Sequence, residues 1–292
     1  MRCILLLATF TLSIMISGCV SWGDCSYYSN DNARQIEHDG LLREYIVYVP
    51  SSYDGKKEIP VVLNFHGYAG LASDYLKYAD MRPQAEKDTF LLVYPQGACL
   101  NGFSHWNAAL PGGDNKSDVD DIGFIRALLG DLNTDYNLDE ERIYACGYSN
   151  GGMMSYALAC YESDRIAAVG SISGALLDQS AACSPSHPIP IINLHGTSDD
   201  VLAYNGGSDF ISVQSTIDFW VEFNEASKSA AIATDRNIEH QVYSNDMTGV
   251  SVEHYKYNGE GHIWFKNEYQ GSNASQLVWD FFSKYDINGS RR

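Results

Sequence analysis

The chain has 292 residues, of which 45% are hydrophobic and 12% aromatic, so it can bury a core of the size found in one or two domains. With 8 prolines and 25 glycines, this composition excludes a disordered or collagen-like chain. The 37 acidic and 19 basic side chains give a formal net charge of −18, which repels nucleic acid phosphates and anionic lipid head groups. We therefore expect no nucleic acid partner.

The N-terminus has the features of a secretory signal. A basic residue precedes an apolar run over 4–16, which is too short to span a membrane, and small residues follow it. We interpret 1–18 as a signal peptide and 19–39 as an N-terminal leader. Residues 16–19 also resemble the bacterial lipobox, so we expect a secreted protein that is lipid-anchored at the cell envelope through Cys19. Ordinary cleavage near the same place is the alternative.

Seven cysteines in an exported chain predict disulfides, because that compartment is oxidising. Cys146 lies in an apolar strand pattern and is expected to be a buried thiol. Four cysteines then remain besides Cys19 and the one in the signal peptide, and their spacing does not choose between the pairings. The pairings that we favour are Cys160–Cys183 and Cys25–Cys99. No CxxC pair or HExxH motif occurs, so we expect neither a metal nor a cofactor.

Strand and helix patterns alternate along the chain. Apolar, β-branched or aromatic runs predict strands at 43–49, 59–65, 90–94, 142–148, 166–171, 189–194 and 250–257. Apolar residues at three- and four-residue spacing predict helices beginning near Ile122, Met153 and Ile217, and a closing helix at 275–285. The alternation predicts a mostly parallel α/β sheet in one domain over 40–292, with the first of these strands antiparallel at an edge.

The sharpest chemical signal is the G-x-S-x-G motif at 147–151, between a predicted strand and a predicted helix. In such a turn the serine occupies a strained bend that exposes its hydroxyl, and the flanking glycines avoid collisions. A glycine-flanked serine alone is more often an ordinary turn. The strand, turn and helix context favours Ser149 as a nucleophile.

A second motif, His-Gly-Tyr-Ala-Gly at 66–70, follows the strand predicted at 59–65. Backbone N–H groups from such a loop, and from the residue after a nucleophile, can stabilise the oxyanion of a tetrahedral intermediate. We expect Tyr68 and Asn150 to supply these N–H groups. The alternative is that the two glycines only form a turn.

A third segment supplies a candidate acid. Asp199 follows the strand predicted at 189–194, and a carboxylate there can hold the tautomer of a catalytic histidine. Asp200 competes for this role and is interpreted as a loop or capping residue. His195 precedes the turn, so we expect it to be hydrogen-bonded within its own loop.

The candidate base is His262, which lies late in the chain in a glycine-rich loop that could place it over the serine. Its rivals are His254, which falls within a strand pattern, and His240, which lies in a polar stretch. As a general base, His262 would take the serine proton and return a proton to the leaving alcohol. The three candidates follow the order nucleophile, acid, histidine that is typical of α/β-hydrolases.

Together these motifs resemble the polyhydroxybutyrate depolymerase/feruloyl esterase family of secreted serine esterases. The resemblance spans about 40–285 and is carried by His66-Gly67, Trp106-Asn107, 118–125, 147–154, 195–199 and 261–264. It implies an α/β-hydrolase fold with a mostly parallel central sheet flanked by helices and without a large lid domain. It also implies that Ser149, Asp199 and His262 form a catalytic triad.

The chain departs from that family at two places. Ile263-Trp264-Phe265-Lys266 stands where the family often has Thr-Trp-Pro-Gly, and Val-Leu-Ala-Tyr at 201–204 stands where it has Val-Pro-Tyr. We expect these changes near the substrate groove, where they affect the identity of the ester. Trp106 and Trp264 could stack on an aromatic acyl group or a sugar, although packing in the core is the alternative. The substrate-binding candidates are His66, Trp106, Tyr204 and Trp264.

These observations predict a secreted serine esterase that cleaves carboxylic esters through an acyl-enzyme. The expected partner is an ester linked to carbohydrate, with feruloyl or related hydroxycinnamoyl esters of plant polysaccharide preferred, because an acidic surface suits neutral substrates. One alternative is a poly(3-hydroxybutyrate) depolymerase or oligomer hydrolase. The others are a peptidase and a non-catalytic surface lipoprotein that binds carbohydrate.

Overall fold

The structure is a computed structural model that describes residues 33–110, 115–177 and 183–291. The predicted signal peptide, most of the leader and the lipidation candidate Cys19 lie outside the described residues. The strands are β1 (Arg34–His38), β2 (Leu41–Tyr48), β3 (Ile59–Phe65), β4 (Leu91–Pro95), β5 (Ala98–Leu100), β6 (Phe103–His105), β7 (Leu138–Tyr148), β8 (Ala168–Ile172), β9 (Ile191–Gly196), β10 (Ala231–Asp235), β11 (Ile238–Ser244), β12 (Ser251–Tyr257), β13 (Tyr285–Asp286) and β14 (Gly289–Ser290). The helices are α1 (Ala72–Tyr78), α2 (Arg82–Asp88), α3 (Asp121–Asp135), α4 (Asn150–Tyr161), α5 (Val213–Phe223) and α6 (Ala274–Phe282).

A 10-stranded sheet runs through the molecule in the order β1-β2-β4-β3-β7-β8-β9-β12-β11-β10. The strands from β4 to β12 in this order are parallel, and the strands beyond them at both ends are antiparallel. The predicted mostly parallel α/β sheet is therefore confirmed. Because parallel strands point the same way, the loops after β3, β7, β9 and β12 share one end of the sheet.

The first predicted strand is antiparallel, as expected, but it does not form the edge. The turn at Asp39 and Gly40, with φ of 51° and 73°, folds the chain back so that β1 pairs outside β2. The sheet thus begins at Arg34, within the segment predicted to be a leader. The pattern missed β1 because it alternates half-buried and exposed side chains instead of forming an apolar run.

Helices cover both faces of the sheet, as expected for central strands that are wholly buried. The apolar sides of α3, α4 and α5 pack in one core layer, and those of α1, α2 and α6 pack in the other. In the described part of the chain, no helix is long and apolar enough to cross a lipid bilayer.

The cysteines follow the sequence prediction where the structure describes them. Cys160, near the end of α4, forms a disulfide with Cys183, and Cys146 is a buried free thiol. The second predicted pairing joins Cys99 to Cys25, which lies outside the described residues, so that pairing stays a prediction.

Removing this disulfide is expected to destabilise the protein. The bond closes a segment with a sequence separation of 23, which restricts the unfolded chain. A loop of this length corresponds to about 3 kcal/mol of unfolding free energy. We expect the Cys160→Ser/Cys183→Ser double variant to lose about this amount in urea denaturation. An unchanged midpoint of unfolding would contradict a stabilising role for the bond.

Candidate active site

The strand, turn and helix predicted around Ser149 are present. Ser149 joins β7 to α4 with φ of 56° and ψ of −120°, a backbone conformation that residues other than glycine rarely adopt. Its backbone N–H donates to the Ile172 carbonyl at 3.0 Å, which ties the turn to β8. A Cβ on Gly147 would lie 2.4 Å from the Gly151 carbonyl oxygen, so only glycine fits there. The turn therefore places the Ser149 hydroxyl at the edge of the sheet where the parallel strands end.

Three side chains far apart in sequence meet at this turn. The Ser149 hydroxyl donates to His262 Nε2 with an Oγ–Nε2 distance of 2.8 Å. On the other side of the ring, His262 Nδ1 donates to Asp199 Oδ2 at 2.7 Å. The structure thus brings together the predicted nucleophile, base and acid within hydrogen-bonding distance. This arrangement can take the serine proton and stabilise the imidazolium that results.

Asp199 accepts hydrogen bonds from more groups than the sequence indicated. Oδ1 accepts from the backbone N–H groups of Val201 and Leu202, at 2.9 and 2.8 Å. His195 Nε2 lies 3.2 Å from Asp199 Oδ2 and also donates to the Leu202 carbonyl at 2.8 Å. The prediction that His195 bonds within its loop is confirmed, but its contact with Asp199 was missed.

These donors keep the acid ionised. Burial alone would raise the pKa of Asp199, but hydrogen bonds from His195, His262 and the Leu202 N–H outweigh it and hold the pKa well below its usual range. The competing candidate, Asp200, is exposed to solvent. Asp199 is therefore the carboxylate that faces the histidine.

A depressed pKa makes Asp199 a pH-dependent source of stability. In the unfolded chain an aspartate titrates near pH ~3.9, so ionised Asp199 stabilises the fold above that pH. This contribution is lost as the pH falls from about 4 through the depressed folded pKa. We expect the stability difference between wild type and Asp199→Asn to shrink when urea denaturation is repeated below pH ~4. The same comparison with Asp200→Asn should show no such trend, and a constant difference for Asp199→Asn would contradict the assignment.

Backbone N–H groups lie beside the nucleophile. Asn150 opens α4, so its N–H belongs to the first turn and lacks an acceptor within the helix. Its side chain is fixed by accepting from the Trp106 N–H at 2.7 Å and donating to the Trp106 carbonyl at 3.0 Å. A Cβ on Gly67 would lie 3.2 Å from Ser149 Cβ, which places the loop carrying Tyr68 against the serine. Both predicted oxyanion donors thus belong to segments that border Ser149.

Three hydroxyl groups anchor the loop that carries His262. Tyr148 donates to the His262 carbonyl at 2.8 Å, and Ser173 donates to the Ile263 carbonyl at 3.0 Å. The Trp264 N–H donates to the Tyr78 hydroxyl at 2.8 Å. The sequence did not predict these contacts, although Tyr148 lies within the G-x-S-x-G motif, because each hydroxyl comes from a different part of the chain and bonds to backbone atoms. They fix the position of the imidazole relative to Ser149.

Two of the predicted substrate-binding residues are buried beneath the site. His66 Nε2 accepts from the Gly97 N–H at 2.9 Å, and burial lowers the pKa of His66 to about 4, which keeps the ring neutral. Trp106 is 2% exposed, and its indole N–H donates to the His66 carbonyl at 2.9 Å. Their polar atoms bond within the protein, so both residues shape the loops and do not reach a substrate.

Trp264 is also wrongly predicted as a substrate contact. It is 1% exposed, its ring edge packs against Tyr75, and its indole N–H donates to Ser275 Oγ at 3.2 Å. The next residue, Phe265, is fully buried and stacks on Tyr257 with ring centroids 3.9 Å apart. Both rings point inward, and the departure from the family pattern at Phe265 therefore fills the core instead of the groove.

Tyr204, the remaining candidate, is half-buried behind the acid loop. Its hydroxyl bonds His254 Nε2 at 2.8 Å, and its ring meets the edge of His195 with centroids 5.9 Å apart. Burial lowers the pKa of His254 to about 3, with His195 contributing in the same direction. His254 and His240 both lie away from Ser149, in β12 and β11, so His262 is the histidine that meets the serine. Among residues 33–110, 115–177 and 183–291, no His, Cys, Asp and Glu group suits a metal ion.

Comparisons with known proteins point to the same class. Residues 120–239 match the phospholipase/carboxylesterase family model. The chain is 28% identical to feruloyl esterase B from Piromyces equi, over 84% of this chain and 46% of that protein. It is 26% identical to a bifunctional acetylxylan esterase/xylanase from Neocallimastix patriciarum, over 89% of this chain and 35% of that protein. The chain thus spans less than half the length of these two curated relatives.

A solved structure supports the fold. The acetyl xylan esterase from Aspergillus awamori superposes with a TM-score of 0.63, covering 86% of this chain and 98% of that chain. At 14% sequence identity, this match supports the fold alone. The family match and the feruloyl esterase relative confirm the resemblance stated from the motifs. The chain therefore has the α/β-hydrolase fold and is similar in sequence to carboxylic ester hydrolases.

Proposed function

We propose that the protein is a serine esterase that hydrolyses feruloyl and related hydroxycinnamoyl esters of plant polysaccharide. The observation that carries the proposal is the continuous hydrogen-bonded chain from Ser149 through His262 to Asp199, at 2.8 and 2.7 Å. A bound ester would meet a nucleophile, a base and an oriented acid together. This machinery suits acyl transfer through a covalent intermediate.

The reaction proceeds in two halves. His262 accepts the Ser149 proton as the serine oxygen attacks the ester carbonyl, and the Tyr68 and Asn150 N–H groups stabilise the oxyanion. Collapse of the intermediate breaks the bond to the alcohol, and His262 returns the proton to the departing oxygen. Water then attacks the acyl-enzyme, with His262 again as base, and releases the acid and free Ser149.

Our assignment of the acyl group depends on an apolar pocket beside α4, the helix that follows the nucleophile. The pocket is small and its lining is mostly apolar. Met153 lies one helical turn after Ser149, at about 6 Å along α4. The other lining residues are Ala108, Ala157, Cys160, Tyr161, Leu176, Leu177 and Cys183. Such a lining suits an aromatic ring, and the relatives are named for feruloyl and acetylxylan esters.

Filling the pocket tests this acyl assignment. We expect Met153→Trp to lower kcat/KM for methyl ferulate about tenfold, because the indole occupies the space of the aromatic acyl group. Hydrolysis of p-nitrophenyl acetate, whose acyl group needs no pocket, should change by less than about twofold. Equal losses on both esters would contradict the placement of the acyl group.

The proposal also includes export. The Cys160–Cys183 disulfide is typical of an oxidising compartment, and the predicted signal peptide precedes the described residues. Lipid anchoring through Cys19 remains part of this proposal. Metabolic labelling with a fatty acid analogue, compared between wild type and Cys19→Ala, distinguishes an anchored protein from a freely secreted one.

A panel of esters tests the function itself. We expect turnover of methyl ferulate and feruloylated oligosaccharide, and none in Ser149→Ala. A fluorophosphonate probe should label the wild type and not the variant, whereas a non-catalytic carbohydrate-binding protein would not react. Turnover of hydroxybutyrate oligomers without turnover of methyl ferulate would replace the proposal with a depolymerase.

A further inference from the structure

Two exposed aromatic rings lie together on the rim of the active site. Tyr68 is 54% exposed and Phe103 is 50% exposed, and their ring centroids lie 5.7 Å apart with planes inclined by 34°. Large apolar side chains exposed as a pair are costly in water and mark surfaces that bind a partner. Neither ring has a role in the proposed reaction, since Tyr68 contributes only its backbone N–H.

Backbone hydrogen bonds join the two segments that carry these rings. Phe103 begins β6, directly after a two-residue turn at Asn101 and Gly102 with φ of 53° and 85°. Both values are positive, as in the tight type I′ turn that Asn-Gly favours. The Ala69 N–H donates to the Ser104 carbonyl at 2.8 Å, which ties the hairpin to the loop that carries Tyr68. The two rings therefore stand on segments that are bonded to each other.

The pair is continuous with the reaction centre. Gly67 precedes Tyr68 and approaches Ser149 closely enough that a Cβ there would lie 3.2 Å from Ser149 Cβ. Two residues after the β6 Ser104, Trp106 is bonded through its backbone to the Asn150 side chain. A ligand lying on the two rings would thus extend directly from an ester bound at Ser149.

We propose that Tyr68 and Phe103 form a platform for a neutral sugar ring on the polysaccharide side of the ester. A pyranose or furanose ring presents C–H groups to an aromatic face while its hydroxyls remain in water, which suits rings that are about half exposed. An aromatic acyl group suits the apolar pocket beside Met153 instead. The formal net charge of −18 further favours a neutral polymer over an anionic one. This inference rests on the proposed function, since it names the alcohol part of the same substrate.

Phe103 provides the test, because it lies outside the catalytic machinery. We expect Phe103→Ala to lower kcat/KM for a feruloylated arabinoxylan oligosaccharide about tenfold and that for methyl ferulate by less than about twofold. Phe103→Trp should retain the wild-type ratio of the two. Ile232→Ala removes an apolar side chain of β10 that is 62% exposed and serves as the control, with both activities unchanged. Equal losses on both esters would assign the rings to the acyl group and overturn the platform, as would no loss on the oligosaccharide.

A binding measurement separates this inference from the proposed function. Unesterified arabinoxylan oligosaccharide is titrated into Ser149→Ala and into Ser149→Ala/Phe103→Ala by calorimetry. Weaker binding by the second protein supports the platform even if no hydroxycinnamoyl ester is hydrolysed by the wild type. Equal binding by the two proteins, or no binding by either, overturns it.

Discussion

Replacing Asp199 by asparagine is expected to lower kcat for ester hydrolysis by about 10⁴-fold while KM changes little. The carboxylate accepts from His262 Nδ1 at 2.7 Å and so holds the proton on that nitrogen, leaving Nε2 free to accept from Ser149. An amide in its place can donate to Nδ1 and favour the wrong tautomer. Steady-state kinetics on methyl ferulate, with circular dichroism to verify folding, measure the effect.

The neighbouring residue is the matched control. Asp200 carries the same charge at the next position but is exposed and was the rival candidate in the sequence. Asp200→Asn should retain kcat within about twofold, because solvent screens the charge of an exposed carboxylate. A comparable loss in both variants would mean that the loop, and not the Asp199 carboxylate, is what the reaction requires.

The second large effect is a loss of stability on replacing Gly151, in the turn after the nucleophile. We expect Gly151→Ala to lower the free energy of unfolding by about 3 kcal/mol or more, or to prevent accumulation of folded protein. A Cβ at this position would lie 2.1 Å from the Phe65 carbonyl oxygen and 2.6 Å from that of His66. Both are backbone atoms of adjoining segments, so α4 would have to move away from β3. Urea denaturation measures the loss.

A helical glycine where an added Cβ would face open space provides the comparison. Gly130 lies on the exposed side of α3, and a Cβ there would meet nothing within 4 Å. Alanine forms helix more readily than glycine by about 1 kcal/mol, so Gly130→Ala should be neutral or stabilising. If Gly151→Ala proved as stable as Gly130→Ala, the close approach of α4 to β3 would not be the constraint that we describe.

The sequence predicted the centre of the molecule better than its edges. Central strands such as β3 and β8 are buried along their whole length and mostly apolar because helices cover both faces, and such a run is easy to recognise. The edge strands β1 and β10 form hairpins with β2 and β11, and apart from Ile36 and Ile232 their side chains are polar or small. Whether such a segment pairs at a sheet edge depends on its surroundings in the fold. Propensity and pattern do not contain that information.

A similar limit applies to the site. Ser149, Asp199 and His262 were recognised because their chemistry requires particular residue types in a particular order. Trp264 has the right residue type for a sugar or an aromatic ring, but only packing decides which way a side chain points, and it points into the core. Phe103 had no motif to mark it, and the role that we propose for it is inferred from its exposure beside Tyr68.

The hydroxyls of Tyr148, Ser173 and Tyr78 engage three consecutive backbone groups, at 262–264. The segment that delivers the imidazole thus loses its conformational entropy once, when the polypeptide folds, and not again in every catalytic cycle. An arriving ester meets a base that is already aligned, so the encounter itself requires no rearrangement of that segment. In the proposed reaction, the aromatic and serine side chains around the triad would contribute in this way to the rate without taking a chemical part.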